Sequence, residues 1–406
     1  EIFDRCCARD DDDDDDKSDE NDPAFVACAS LLKTLHARSA RMRRPIGPAD
    51  LWLVADDRGL SLSSKNKGKN VPLLRWAPQC VPFRERAKLV LCASSSSHPN
   101  ADRTPTTSSG DFISSSFFRS HDDDGTSAAA AQRRSRSSPS SSVQNKRKTS
   151  LRVRRGRVLE DGFAQISALS REELRGRLSV SFRDEFGRAE AGIDAGGLFK
   201  EFWTDLASSA FAPETGLFVG STDGLLPNPD SDVIHGSCDH LQLFTFVGRV
   251  LGKALAEGIT VQPKFNRCFL RFLLRGGRFD YLSLLDDLEA IDADLRKNLK
   301  FLAVYDGDPA SLGLTFQVTV DRIGGTTTTF DLVPNGGSIQ VTKENRLSYV
   351  QRVAKFHLVD RVAAQAASFV AGLGDALDVD LLHRFSEAEL QVLISGNSRD
   401  PVDVDD

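Results

Sequence analysis

VSFRDEFGRAEAGIDAGGLFKEFWTDL, running from Val180 to Leu206, decides how this chain folds. Val180 and Phe182 alternate with polar neighbours, the pattern of a short strand with one buried face. A glycine-punctuated turn follows. The carboxylate of Asp194 is placed to accept the free N–H groups of a first helical turn. Leu198, Phe199, Phe202, Trp203 and Leu206 then recur at three- and four-residue spacing, which gives the helix one broad apolar face. Gly192, Gly196 and Gly197 do not make a phosphate loop, because no GxxxxGKS or GxxxxGKT follows the strand. They read as a tight strand-to-helix connection with close backbone packing.

Downstream, helical patterns dominate. Leu159 to Leu178 reads as a helix with Phe163, Ile166 and Leu169 on one face. Leu241, Phe244, Val247, Leu251 and Leu255 form the stripe of a strong helix over 241–257. On its other side Gly248, Gly252 and Ala256 lie four apart and admit a second helix at close range. "GKAL" within this helix is not a nucleotide loop, since it lies mid-helix and lacks the hydroxyl residue for magnesium. Phe265 to Leu274 predicts another apolar helix, and the leucines from Leu282 to Leu302 keep helical spacing. "LGLTFQVTVD" and "TTTTFDLVPNGGSIQVT" alternate with period two around Gly324 and Gly325, a hairpin signal. A long helix is expected from Asn345 through Gly372. Ser386 and Glu389 form a capping box for a final short helix. The fold class is α+β, mainly α-helical.

Upstream the chain changes character. Asp10 to Asp16 is a run of seven aspartates that repels itself and stays solvated, so residues 1–23 read as an acidic disordered tail. Residues 24–92 carry helical apolar spacing (Phe25, Val26, Cys28, Leu31, Leu32, Leu35) with a basic stretch from His36 to Arg44. Residues 93–150 are rich in Ser, Thr, Asp, Ala and Arg and read as a disordered linker, with too few apolar groups to offset ordering entropy. The basic segment Lys146 to Arg157 reads as a solvated lead into the folded domain rather than a nucleic-acid patch. A net charge of −6 gives no global pull toward nucleic acid. No run of eighteen apolar residues exists, which speaks against a membrane partner. Seven cysteines without CxxC spacing suit a reduced compartment. His235, Cys238 and His240 lie close together but lack a fourth ligand at structural spacing, so neither a metal nor another cofactor is expected.

Five ordered blocks resemble the HECT family of ubiquitin-protein ligases. They are the opening stretch preceded by "RRGRVLEDGF", then "LQLFTFVGRVLGKALAEGITV", "LRKNLKFLAVYDGD", "DLVPNGGSIQVTKENRLSYV" and "FSEAELQVLISG". "LLKTLHARSARMRRPIGPADLWL" and "CVPFRERAKLVL" resemble the region upstream of that domain in one animal and plant subgroup, which makes 24–92 a helical remnant of an upstream scaffold. The resemblance implies a HECT N-lobe over 151–396. It comprises a large helical subdomain and a small subdomain, about 263–340, that carries a β-hairpin and binds the ubiquitin-conjugating enzyme. Residues 397–406 would be a truncated hinge to a missing C-lobe.

The implied activity is transfer of ubiquitin from a conjugating enzyme, through a cysteine thioester, to substrate lysines. The implied partners are a ubiquitin-conjugating enzyme, ubiquitin and protein substrates, in the cytoplasm or nucleus. None of Cys6, Cys7, Cys28, Cys80, Cys92, Cys238 or Cys268 has the Thr-Cys-Phe-Asn-like setting of the family's catalytic cysteine. No catalytic residue is assigned, and the chain alone is expected to be inactive. The family's docking groove maps onto Leu295, Asn298, Leu299, Tyr305, Leu314, Tyr349 and Val353, with Tyr349 as the anchor. An alternative is a non-catalytic adaptor or competitor that binds the conjugating enzyme without transfer.

Overall fold

The computed structural model describes residues 23–39, 74, 77–95, 149–184, 188, 197–276 and 281–396. The Asp run, most of the Ser-rich segment and the turn that holds Gly192, Asp194 and Gly196 lie outside the described residues. Two upstream helices, α1 (Pro23–Ser39) and α2 (Phe83–Ser95), precede the main body.

The body begins with β1 (Thr149–Arg154), then α3 (Val158–Ala168), α4 (Arg171–Arg175) and β2 (Leu178–Arg183). β1 and β2 pair in parallel, with Leu151 opposite Val180 and Val153 opposite Phe182. Those four side chains are buried, as the alternation in the sequence predicts. The single helix expected over 159–178 is two. Ser170 caps the second through a box with Glu173, and the chain turns there.

α5 (Gly197–Ala210) buries Phe202, Trp203 and Leu206 on the stripe read from the sequence. A tight hairpin, β3 (Phe218–Ser221) with β4 (Gly224–Pro227), leads to α6 (Ser231–His235) and the central α7 (Asp239–Ala256). Next come α8 (Arg267–Arg275), α9 (Tyr281–Asp287) and α10 (Ala293–Ala303). The hairpin of β5 (Gln317–Arg322) and β6 (Thr326–Asp331) turns through Ile323, Gly324 and Gly325, with both glycines at positive φ. The second strand is shorter than the sequence alternation suggests. It stops at Asp331, and Asn335 adopts left-handed φ of 58° ahead of a turn at Gly336–Ser338.

The long helix expected from Asn345 to Gly372 is broken into α11 (Arg346–Leu358) and α12 (Ala363–Ala376), with a 3-10 turn at Asp360–Val362. α11 packs on α9 and α10, whereas α12 packs along α7. One straight helix would not reach both. α13 (Glu387–Ser395) follows, with the capping box of Ser386 and Glu389 formed as read.

The centre is aromatic. Phe211, Phe218, Phe244, Phe265, Phe269 and Phe369 form a continuous cluster, with Phe211–Phe265 and Phe269–Phe369 centroids each 5.2 Å apart. α7 and α12 approach so closely that a Cβ on Gly248 would collide with the carbonyl oxygen of Phe369, and one on Gly372 with that of Thr245. Around this core, buried or half-buried arginines serve as fasteners. Arg175 donates to the carbonyls of Gly374 and Asp375, at 2.7 and 3.0 Å. Arg249 donates to Ile166 and Leu169 carbonyls and pairs with Asp375 at 2.8 Å. Both tie the far end of α12 to the α3–α4 region.

α2 is part of this body. Ala87 and Val90 enter the main core, and Phe83 meets Phe385 edge-on at 5.9 Å. The buried Arg86 guanidinium forms a two-pronged ion pair with Glu389 of α13.

Candidate docking groove

α10 is started by Asp292, whose side chain accepts from Leu295 N–H at 2.8 Å. From that origin Leu295, Leu299 and Leu302 turn toward α9 and α11, while Asn298 faces solvent. Arg346, at the first turn of α11, donates to the carbonyl oxygen of Tyr305 just beyond α10. Leu314 is held by Val341 N–H, which donates to its carbonyl at 2.9 Å. Tyr349 lies edge-on to Phe316, and its phenol is shifted above the usual tyrosine range by burial.

The structure thus gathers the seven candidate residues around α10, the following loop and α11, but at different depths. Leu299, Tyr349 and Val353 are buried, with Leu299 only 4% and Tyr349 only 8% exposed. Leu295, Tyr305 and Leu314 are half-buried, and Asn298 is exposed.

Beside them is an apolar strip that the sequence reading missed. Phe301 is 59% exposed, Val304 72% and Leu347 57%. Phe301 meets Tyr305 at a tilt, with ring centroids 5.3 Å apart, and Leu347 follows Arg346, which donates to the carbonyl of the same Tyr305. The signal was present in "LKFLAV": Phe301 and Val304 are apolar yet fall off the stripe of Leu295, Leu299 and Leu302. These apolar side chains, off the core stripe, are left at the surface beside the candidate residues.

The thiols behave differently from one another. Cys268 is buried at the start of α8, and its thiol is pushed far above the usual range by burial and then by the nearby Asp287 carboxylate. Cys80 is buried, Cys28 half-buried and Cys238 exposed ahead of α7. Around Cys238, His235 bonds through Nε2 to the Thr215 carbonyl at 2.6 Å, and His240 Nδ1 lies 3.0 Å from Ser231 Oγ. Each histidine therefore has a structural partner of its own.

A parallel strand pair, an aromatic helical core, a β-hairpin and a capped final helix make an α+β, mainly helical body. The chain belongs to the HECT family: the family model described as HECT-domain (ubiquitin-transferase) matches residues 204–406. Among curated proteins, it is 38% identical over 387 residues to human Ubiquitin-protein ligase E3B, covering 94% of this chain and 32% of that protein. It is 39% identical over 260 residues to the E3 ubiquitin-protein ligase UPL6 of Arabidopsis thaliana, covering 64% of this chain and 24% of that one. The chain thus spans a third or less of the length of these relatives. Among the described residues, no helix is long and apolar enough to cross a membrane.

Proposed function

We propose that this chain serves HECT-class protein ubiquitination as the lobe that docks a ubiquitin-conjugating enzyme, in the cytoplasm or nucleus. The docking face is the groove of Leu295, Asn298, Leu299, Tyr305, Leu314, Tyr349 and Val353, widened by Phe301, Val304 and Leu347. The exposure of three large apolar side chains beside that groove carries the reading. Leu299, Tyr349 and Val353 shape its floor from beneath, and the half-buried and exposed members touch the partner.

The reaction served is two exchanges at a thiolate. The ligase thiolate attacks the ubiquitin thioester of the conjugating enzyme and releases that enzyme's thiolate. A substrate lysine amine then attacks the new thioester, forming an isopeptide bond, releasing the ligase thiolate and losing a proton. Cys268 is unsuited to the attack, because its buried thiol resists ionisation. None of the seven cysteines has the setting that the family's catalytic cysteine has, so residues 1–406 by themselves are read as docking without transfer. The adaptor reading shares the same groove and differs only in that no transfer is served by the whole protein.

Binding of a panel of ubiquitin-conjugating enzymes, measured by calorimetry, tests the proposal. At least one is expected to bind, and Phe301→Ser with Leu347→Ser to weaken it tenfold or more without lowering the melting temperature. Binding by none of the panel, or binding indifferent to both substitutions, overturns it.

A further inference from the structure

The chain between α10 and the turn at Pro309–Leu312 is pinned at both ends. Tyr305 N–H donates to the Leu302 carbonyl at 3.3 Å, and the Tyr305 carbonyl accepts from Arg346 of α11. Three residues on, the Asp308 side chain accepts from Ala310 N–H at 3.1 Å, and the Ala310 carbonyl accepts from Gln340 at 2.8 Å. With the backbone held on either side, the freedom left to Tyr305 is rotation of its half-buried ring.

Gly307 decides where that ring lies. A Cβ at Gly307 would stand 2.5 Å from both Cζ and Oη of Tyr305 and 2.7 Å from its Cε1. Carbon atoms in contact keep about 3.5–4.0 Å apart, so the phenol and a side chain at 307 exclude each other. The ring lies across the bare Cα of Gly307 and also meets Phe301, with centroids 5.3 Å apart.

The backbone does not call for a glycine here. Gly307 lacks the positive φ of the chain's turn glycines, so an alanine suits its conformation. The three atoms nearest to an added Cβ all belong to the Tyr305 ring. At Gly248 and Gly372 the added methyl meets the backbone of a packed helix, which cannot yield cheaply. At Gly307 it meets the far end of one side chain, which can swing aside. The space at 307 therefore serves the placement of the ring and not the packing of the fold.

Given the docking function proposed above, on which this rests, we infer that Gly307 is a positioning residue of the docking face. Its missing side chain presents Tyr305 in one orientation beside the exposed Phe301, as a preformed aromatic edge for the conjugating enzyme. A ring held before binding spares the complex the entropy of ordering it.

A double-mutant cycle on the full chain tests this role, read by calorimetry with the conjugating enzyme that binds the native chain most tightly. Gly307→Ala is expected to weaken binding about fivefold at an unchanged melting temperature, the scale of an interface side chain put out of place. Tyr305→Ala is expected to weaken binding at least as much, and Gly307→Ala added to it to change nothing further. Equal losses from Gly307→Ala with and without the Tyr305 ring overturn the role, as does binding indifferent to Tyr305→Ala. A melting temperature lowered by Gly307→Ala even without that ring also overturns it, because residue 307 then serves the fold. Native affinity in Gly307→Ala, while Phe301→Ser and Leu347→Ser lose theirs, overturns the role and leaves docking standing. Binding by no conjugating enzyme, or binding indifferent to all of these substitutions, removes docking and this role with it.

Discussion

Phe316 and Tyr349 meet edge to face, ring centroids 5.4 Å apart at an interplanar angle of 76°. This pair joins the residue just ahead of β5 to α11, among the candidate docking residues. Its disruption is expected to lower stability and, with the proposed docking, binding together. Tyr349→Ala is expected to cost about 3 kcal/mol of stability, as for other buried aromatics. It is also expected to weaken conjugating-enzyme binding by about 1–3 kcal/mol. Tyr349→Phe keeps the ring and most of both. Urea melts and calorimetry on the two variants separate these outcomes, and an unaltered melt for Tyr349→Ala contradicts the burial.

The reciprocal glycines of α7 and α12 leave no room for a methyl group. Gly248→Ala and Gly372→Ala should each push the helices apart and cost about 2–3 kcal/mol, within the range for overpacked cores. Gly220→Ala, whose Cβ meets nothing within 4 Å, is the control and should change stability far less. Thermal melts of the three variants decide it.

Glu389 is driven by opposing influences. Burial raises its pKa, but the hydrogen bond and charge of Arg86 outweigh it, so the carboxyl titrates below its ordinary value of 4.5. A depressed folded-state pKa gives stability that is present above the unfolded value and is lost as pH falls through the folded one. The chain should therefore lose stability progressively below about pH 4.5. Glu389→Gln should cost about 2 kcal/mol at pH 7, less than a fully buried pair because Glu389 retains solvent contact. It should also flatten the acid limb. Melting temperatures of both chains from pH 3 to pH 7 provide the check.

Thiol reactivity should split by environment. Native protein treated with iodoacetamide at pH 8 is expected to be modified at Cys238 within minutes and spared at Cys268 until it unfolds. Peptide mass spectrometry reads both sites. Rapid labelling of Cys268 would show an open α8 start.

A last prediction concerns transfer. Residues 1–406, mixed with a conjugating enzyme charged with ubiquitin, should carry no reducible ubiquitin adduct on a non-reducing gel. An adduct abolished by replacing one of the seven cysteines would reject the docking-only reading of these residues.

Much of this architecture was legible where one periodicity met one partner. The strand of Val180 and Phe182, the stripe of α5 and the paired glycines of α7 each needed only local spacing. The break at Val359–Val362 was not legible, because nothing local signals that α11 and α12 serve different neighbours. Nor was the docking of α2 on α13, which depends on Arg86 finding Glu389 some three hundred positions away. In the candidate groove, family resemblance named the residues but not their depth. Tyr349 and Leu299 lie under the surface, and Phe301, which the leucine stripe obscured, lies on it.

The arginine fasteners of α12 also set the order in which the molecule is assembled during its synthesis. Arg171 and Arg175 must wait for Asp375 and Gly374, roughly two hundred residues later. At ordinary elongation rates that is a delay of about 10–40 s, during which α4 and α7 lack the helix that packs against them. The nascent segment from β1 to α8 therefore exposes its phenylalanines on the ribosome. It should be a client of chaperones until α12 has left the exit tunnel.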